Sequence, residues 1–349
     1  MLFWGAIHSL KMVGWGRVFV LLIVLTLFQG VLSFRDGNFF NPSLSERKDL
    51  LFGSSTYFIH ELLDMNGKLF NLRSHENTDY IEIQQPSAAM ISLREEKLSS
   101  KVLFIIAESW GQSRNPLVIE NQIQALRNSD KIQEVRLDAI DAFGVTAFAE
   151  FRELCGKIPT KLNLRKIAQS TLGECLPAKL KKQGYKTVSV HGAHGTMYDR
   201  LMWYPVVGFE NMVFKEALPF SKEVQCYSFP GYCDRYLFDV VLNKLTSDEK
   251  VFLYWLTLNS HTPYDRRDIV NYQEDTCKLL FDKAHSEQLC NYQNLHTQFF
   301  EQLAALIEKN SMSGVEVVVV GDHAPIFNDD LSRELFEPKT VPMLHFLVK

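Results

Sequence analysis

Four short polar segments hold most of the residues able to do metal or phosphoryl chemistry. They are Glu108-Ser109-Trp110-Gly111, His191-Gly192-Ala193-His194-Gly195, Asn259-Ser260-His261-Thr262-Pro263-Tyr264 and Gly321-Asp322-His323-Ala324-Pro325. Glu, Asp and His offer the oxygen and nitrogen donors that hold zinc or manganese. Each segment alone is weak evidence. A loop histidine is commonly solvated, and an Asp-His pair after a strand is often a helix cap beside a hydrogen-bonded imidazole. Their shared position is stronger evidence, because each comes directly after an apolar run.

Those runs set the expected framework. Residues 102–107 read VLFIIA, 187–190 TVSV, 251–258 VFLYWLTL and 315–320 VEVVVV, with a fifth strand expected over 341–348. Short continuous apolar runs mark strands buried on both faces. Helical segments lie between them, one ending at Gly184 and one over about 293–309. Strands alternating with helices predict an α/β fold with a mostly parallel central sheet and helices on both faces. In such sheets ligands bind beyond the carboxyl ends of the strands, where the four polar segments fall.

Composition narrows the class. The 349 residues are 46% hydrophobic and 22% charged, with a formal net charge of -4. No basic field points to nucleic acid. Residues 18–28 read VFVLLIVLTLF, preceded by Lys11 and Arg17. The run reads as the core of a signal sequence or, with its apolar flanks, as one membrane helix of roughly 20 residues. No clean small-x-small cleavage pattern comes after it, which favours the anchor, and the positive-inside rule then leaves the N-terminus in the cytoplasm. Either reading exports the chain beyond residue 35. Residues 1–35 are therefore expected as anchor or signal sequence, 36–100 as a juxtamembrane connector with a helix over 44–63, and 101–349 as an extracytoplasmic catalytic domain. Six cysteines, at 155, 175, 226, 233, 277 and 290, fit export. Their order suggests three local disulfides among fifteen possible pairings, and no CxxC pair offers a competing metal site.

In ordered motifs the chain resembles the phosphoethanolamine transferases and lipoteichoic acid synthases of the alkaline-phosphatase/sulfatase superfamily, over residues 100–349. KVLFIIAESWG is similar to the family's first strand with its metal-binding Glu, here Glu108. VSVHGAHGTMYDR, with Trp203 and Gly208-Phe209 after it, is similar to the substrate-pocket segment. TLNSHTPY is similar to the histidine loop, and VVVVGDHAP to the metal-binding Asp-His pair. The resemblance implies a nucleophilic threonine at a helix start downstream of the Glu. Thr146, 38 residues after Glu108, holds that place. Thr146 with Glu150 also reads as a plain helix start. Both readings put a hydroxyl at the positive end of a helix dipole, which suits a bound phosphate. Ser109 is the rival nucleophile, set aside because it adjoins Glu108.

The resemblance further implies a divalent metal, zinc or manganese, held by Glu108, Thr146, Asp322 and His323. His261 and His191 would bind or protonate substrate oxygens. Tyr198 and Arg200, seven and nine residues after His191, would line the substrate pocket, with Arg200 clamping a phosphate. His194 has less support, and Trp110 and Trp203 read as core or rim aromatics. The expected function is transfer of phosphoethanolamine or phosphoglycerol from a membrane lipid donor to a cell-surface glycan or glycolipid, through a phospho-threonine, at the outer face of the cytoplasmic membrane. A phosphodiesterase or phosphatase with water as acceptor is the alternative. A glycan- or lipid-binding relative without turnover, or an exported structural domain, are the non-enzyme readings. Two departures matter. No Cys-x-Pro-x-Arg sulfatase motif lies after Glu108, and the family's multi-span membrane region is reduced to one apparent helix.

Overall fold

The computed structural model describes residues 79–93, 98–160, 164, 167, 172–220, 224–281 and 286–349. The expected membrane helix and the expected helix over 44–63 lie outside the described residues. Among the described residues no helix is long and apolar enough to cross a membrane. The chain divides into Met1–His75 and a unit from Glu76 to Lys349, the latter holding all described residues.

Nine strands are described in that unit, with helices between them. β1 (Tyr80–Glu82) and α1 (Ala88–Ser92) precede β2 (Lys101–Ala107) and α2 (Pro116–Gln122). Then come β3 (Ile132–Asp141), α3 (Thr146–Cys155), β4 (Lys157–Pro159), α4 (Leu176–Lys182) and β5 (Lys186–His191). The C-terminal half holds α5 (Arg200–Val207), β6 (Asn211–Val213), α6 (Phe238–Leu245), β7 (Val251–Leu256), α7 (Glu287–Ile307), β8 (Val315–Gly321) and β9 (Thr340–Val348). Seven strands form one sheet in the order β3-β9-β8-β2-β7-β5-β6, while β1 and β4 pair separately. β8, β2, β7, β5 and β6 are mutually parallel, and β9 is antiparallel to both β8 and β3. β3 therefore points the same way as the central strands. The mostly parallel sheet is as the apolar runs indicated.

The central strands are buried on both faces because their side chains alternate between two cores. On β2, Leu103 and Ile105 enter one cluster and Val102, Phe104 and Ile106 the other. Leu253 and Trp255 of β7, and Val317 and Val319 of β8, repeat the first face. α7 covers it with Phe299, Phe300 and Leu303. α3 and α5 cover the second with Phe151, Trp203 and Tyr204. α7 begins at Ser286, whose hydroxyl accepts from the Leu289 N–H, with Glu287 in the first turn. It runs from Glu287 to Ile307, six residues earlier at its start than the pattern suggested.

The disulfides are Cys155–Cys175, Cys226–Cys233 and Cys277–Cys290, the three local pairs. Each is worth about 2–4 kcal/mol of constraint on the unfolded chain. The strand over Ile132–Asp141 was not expected. It lies at the sheet edge, pairs only with β9, and alternates polar with apolar residues instead of running apolar. The apolar run over 251–258 ends as a strand at Leu256, which frees Thr257 for the site.

Candidate active site

Glu108 comes directly after the last residue of β2, and its position is set by the turn around it. Its backbone N–H donates to Thr257 Oγ1 at 2.9 Å, and its carbonyl accepts from Ser260 Oγ at 2.5 Å. The next residue, Ser109, has φ of 57°, in the left-handed region that a side chain disfavours. Tyr198, Asp199 and Tyr264 share that strained conformation, all on loops at the same sheet edge. Such outliers gather where a site over-determines its backbone. Gly321 closes β8 against this turn, since a Cβ there would collide with the Trp110 carbonyl oxygen.

Three donors converge at these strand ends. Ligand atoms of Glu108, Asp322 and His323 lie within 4.8 Å of one another. Glu108 and Asp322 are 4% and 0% exposed, so two carboxylates share one dry pocket. Asp322 Oδ1 accepts from the N–H of Ser109 at 2.7 Å and of His323 at 2.8 Å. Asp322 Oδ2 is buried with no hydrogen-bond donor. It lies 3.3 Å from His323 Nε2, in a geometry that makes an ion-pair contact and no hydrogen bond. His323 Nε2 is also 3.6 Å from Glu108 Oε1, and Nδ1 pairs with the Ala324 carbonyl at 2.9 Å. That second contact orients the ring and leaves Nε2 for the pocket.

The electrostatics arise from crowding. Burial and the charge of Glu108 push the Asp322 carboxyl up to about 6, with His323 opposing them. Burial lowers the His323 imidazole, but the charges of Asp322 and Glu108 outweigh it and the net shift is upward. A divalent cation fits this donor set. It would satisfy Asp322 Oδ2, neutralise both carboxylates and take the oriented Nε2, and an oxygen-plus-imidazole shell suits zinc or manganese.

α3 brings Thr146 to the same place. Thr146 is the first helical residue, after Val145, which makes no side-chain cap. Its hydroxyl donates to Glu108 Oε2 at 3.3 Å. Ser109 Oγ donates to the other oxygen, Glu108 Oε1, at 3.0 Å. Both hydroxyls touch Glu108, but only Thr146 stands at the N-terminus of a ten-residue helix.

The histidines divide. His261 Nδ1 bonds the Thr262 carbonyl at 2.6 Å, and burial lowers its pKa, so Nε2 is an acceptor. His191 Nδ1 bonds the Leu256 carbonyl at 2.9 Å, and burial with the nearby Arg200 charge pushes it down to about 3. His194 is half exposed, its Nδ1 3.1 Å from Glu216. Trp110 and Trp203 are wholly buried core residues.

Arg200, expected at the substrate, packs against Glu150. It is 1% exposed, and its fork grips Glu150: Nε lies 3.2 and 3.1 Å from the two carboxylate oxygens and Nη2 lies 2.8 Å from Oε2. The hydroxyls of Tyr204 and Tyr254 donate to the same carboxylate. Burying a guanidinium demands such pairing. Tyr198 stands at the mouth, 37% exposed, with the Arg200 guanidinium 5.2 Å from its ring centre.

One supporting residue was not foreseen. Arg152 of α3 donates to the carbonyls of Asp322 at 3.2 Å and Gly321 at 2.8 Å, and pairs with Glu153 at 2.7 Å. Glu153 in turn accepts from the Ala89 N–H at 3.0 Å. In sequence Glu150, Arg152 and Glu153 place three charges within a helix flanked by apolar residues, a composition that a surface helix shares.

A family model described as Sulfatase matches residues 100–343. No curated protein matches the chain. Among solved structures, the lipoteichoic acid synthase LtaP from Listeria monocytogenes is 17% identical with a TM-score of 0.51, covering 76% of this chain and 68% of that one. A protein in the alkaline phosphatase superfamily from Vibrio parahaemolyticus is 15% identical with a TM-score of 0.51, covering 77% and 65%. The C-terminal periplasmic domain of EcEptC from Escherichia coli, in complex with Zn, is 14% identical with a TM-score of 0.50, covering 78% and 76%. At such identities the likeness is one of fold.

Proposed function

The chain belongs to the sulfatase family, and on that premise we propose that it transfers a phosphate-linked headgroup, phosphoethanolamine or phosphoglycerol, from a lipid donor to a cell-surface glycan or glycolipid. The observation that carries the reading is the convergence of Glu108, Asp322, His323 and the Thr146 hydroxyl at a helix N-terminus. Phosphate is favoured over sulfate because the first cysteine of the chain is Cys155, which is disulfide-bonded, so no formylglycine precursor cysteine occupies the nucleophile position.

Glu108, Asp322 and His323, with Thr146, would hold a zinc or manganese ion. When bound, the ion supplies positive charge that favours an ionised hydroxyl and offsets charge on the phosphoryl oxygens. Thr146 Oγ1 forms the new bond to phosphorus as the bond from phosphorus to the glycerol oxygen of the donor breaks. The threonine proton ends on that departing oxygen, releasing diacylglycerol. The acceptor hydroxyl then attacks the same phosphorus, its proton returning to Thr146. His261, neutral with an open Nε2, is suited to carry the proton in each step. His191 Nε2 accepts from protonated substrate groups, and Tyr198 lines the mouth. The same steps with water as acceptor give a hydrolase.

Residues 1–35 would hold the enzyme at the membrane, residues 36–100 would connect, and residues 101–349 would act outside it, where three disulfides persist. The test is incubation of the full chain with zinc or manganese and headgroup-labelled phosphatidylethanolamine or phosphatidylglycerol. Diacylglycerol release, a headgroup-phosphate adduct on the Thr146 peptide, and loss of both in Thr146→Ala are expected. Bound metal without release or adduct would overturn the lipid donor, and no metal binding would overturn the enzyme reading.

A further inference from the structure

Behind the strand ends, on the side away from Thr146, lies a small cavity between the turn after β7, the segment before α6, and α7. It offers about 10 Å³ to the centre of a water molecule, room for one. Asp234, Asn259 and His296 all line it. They are 3%, 7% and 1% exposed, and each carries a buried polar atom with no protein partner: Asp234 Oδ1, Asn259 Nδ2 and His296 Nε2. An unmatched buried polar atom costs about 1–3 kcal/mol, so three around one hollow need a common solution.

The rest of each side chain is engaged, which fixes what these atoms are. Asp234 Oδ2 accepts from the N–H groups of Leu258 at 2.8 Å and Asn259 at 2.7 Å, leaving Oδ1 as an acceptor once the carboxyl, raised to about 7 chiefly by burial, is ionised. Asn259 Oδ1 accepts from the Asp234 N–H, so the amide orientation is set and Nδ2 is a donor. His296 is wholly buried and burial pushes its pKa down to about 3, so the ring is neutral, and in its Nδ1–H form Nε2 is an acceptor. Two other polar groups at the cavity wall are spent elsewhere. Gln298 bonds the Val270 N–H and the Asp268 carbonyl, and Arg235 donates to that same carbonyl.

Two acceptors and one donor around a single-molecule hollow match one water, which donates twice and accepts once. We propose that this cavity is a binding site for one internal water, hydrogen-bonded to Asp234 Oδ1, Asn259 Nδ2 and His296 Nε2. A cation matches the two acceptors but would face the amide N–H of Asn259. The bridge also has a consequence for the site. Asp234 and Asn259 shape the turn that ends in Ser260, which bonds the Glu108 carbonyl, and His261. The water therefore joins α7 to the turn whose Ser260 holds the Glu108 carbonyl, and it does so whatever reaction the site performs.

The test is a crystal structure of the full chain with the crystals grown in metal chelator. A density peak at hydrogen-bond distance, about 2.7–3.2 Å, from all three atoms is expected. A dry cavity, or a peak with anomalous signal at the shorter distances of a metal ligand, would overturn the proposal. In solution, the Nε2 resonance of His296 in ¹⁵N-histidine-labelled protein should sit upfield of a bare imidazole nitrogen, and a bare value would refute the bridge. Asn259→Asp exchanges the donor for an acceptor. Its melting temperature should fall and stay low on adding zinc, calcium or sodium. Recovery with any of these that the wild type does not show would identify a cation site instead.

Discussion

Arg152→Met tests the scaffold of the site most directly. The side chains of Arg152 and Glu153 are 3% and 0% exposed, so this is a buried ion pair. Replacing the arginine leaves the Glu153 carboxylate with the Ala89 N–H as its remaining described partner, and strips a donor from the carbonyls of Gly321 and Asp322. Breaking a buried pair from one side costs about 3–5 kcal/mol, and the orphaned carbonyls fall inside that range because such terms do not add. For a unit of this size each kcal/mol moves the melting temperature by about 2–4 °C, so a loss of about 10 °C is expected by circular dichroism. The same change unlatches the backbone of Asp322 from the helix that carries Thr146. Groups that orient metal ligands typically change affinity by about 10–100-fold, so zinc affinity by calorimetry should fall by that order. Adding Glu153→Met removes the stranded carboxylate. The double variant should regain most of the melting temperature, since apolar replacement of a buried pair is near neutral. It should not regain the zinc affinity. A single variant that melts within about 2 °C of wild type, or a double variant less stable than the single, would refute the reasoning.

Two further outcomes are expected from the same geometry. Arg200→Leu strands the Glu150 carboxylate with two tyrosine hydroxyls, and should cost about 3–5 kcal/mol in urea unfolding, with Glu150→Leu in the same chain restoring much of it. A folded Arg200→Leu protein of wild-type stability with a raised KM for lipid donor would return Arg200 to the substrate. Two buried histidines should add a loss of stability in acid, opposed by the raised carboxyls of Asp234 and Asp322, which take up protons in the folded state first. His191 and His296 are pushed from 6.5 to about 3, chiefly by burial, so the unfolded chain takes up protons below pH 6.5 that the folded rings refuse. Above pH 6.5 neither state is charged and nothing is lost; at about pH 5 each ring costs roughly 2 kcal/mol, growing until the pH nears 3. His191→Asn, which can keep a donor to the Leu256 carbonyl, should remove roughly half of that slope, and an unchanged slope would refute the assignment.

The features legible in the sequence and the features hidden in it have one physical cause. A strand buried on both faces must be apolar throughout, so 102–107, 251–256 and 315–320 announce themselves, and the polar residues just past them are exposed by contrast. Glu108, His261, Asp322 and His323 were visible for that reason. The strand Ile132–Asp141 alternates because its side chains point in turn to a packed and a more exposed face, and a half-buried alternation is easily taken for a loop. The direction of β9 was equally hidden, since an apolar run carries no sign of whether its neighbour is parallel. The buried charges were hardest. Arg200, Glu150, Arg152 and Glu153 have the composition of a surface helix face, and their partners lie 50 residues apart for Glu150 and Arg200 and 170 for Arg152 and Asp322. A charge is tolerated inside only when such distant partners meet it, and that meeting is a property of the packed chain and of no local pattern. Arg200 shows the consequence. The family resemblance implied a phosphate contact for it, and the packed chain adds Glu150, one helical turn beyond Thr146, as its buried partner. The guanidinium thereby ties the helix that begins at Thr146 to the segment after His191, a link that no local pattern in either segment announces.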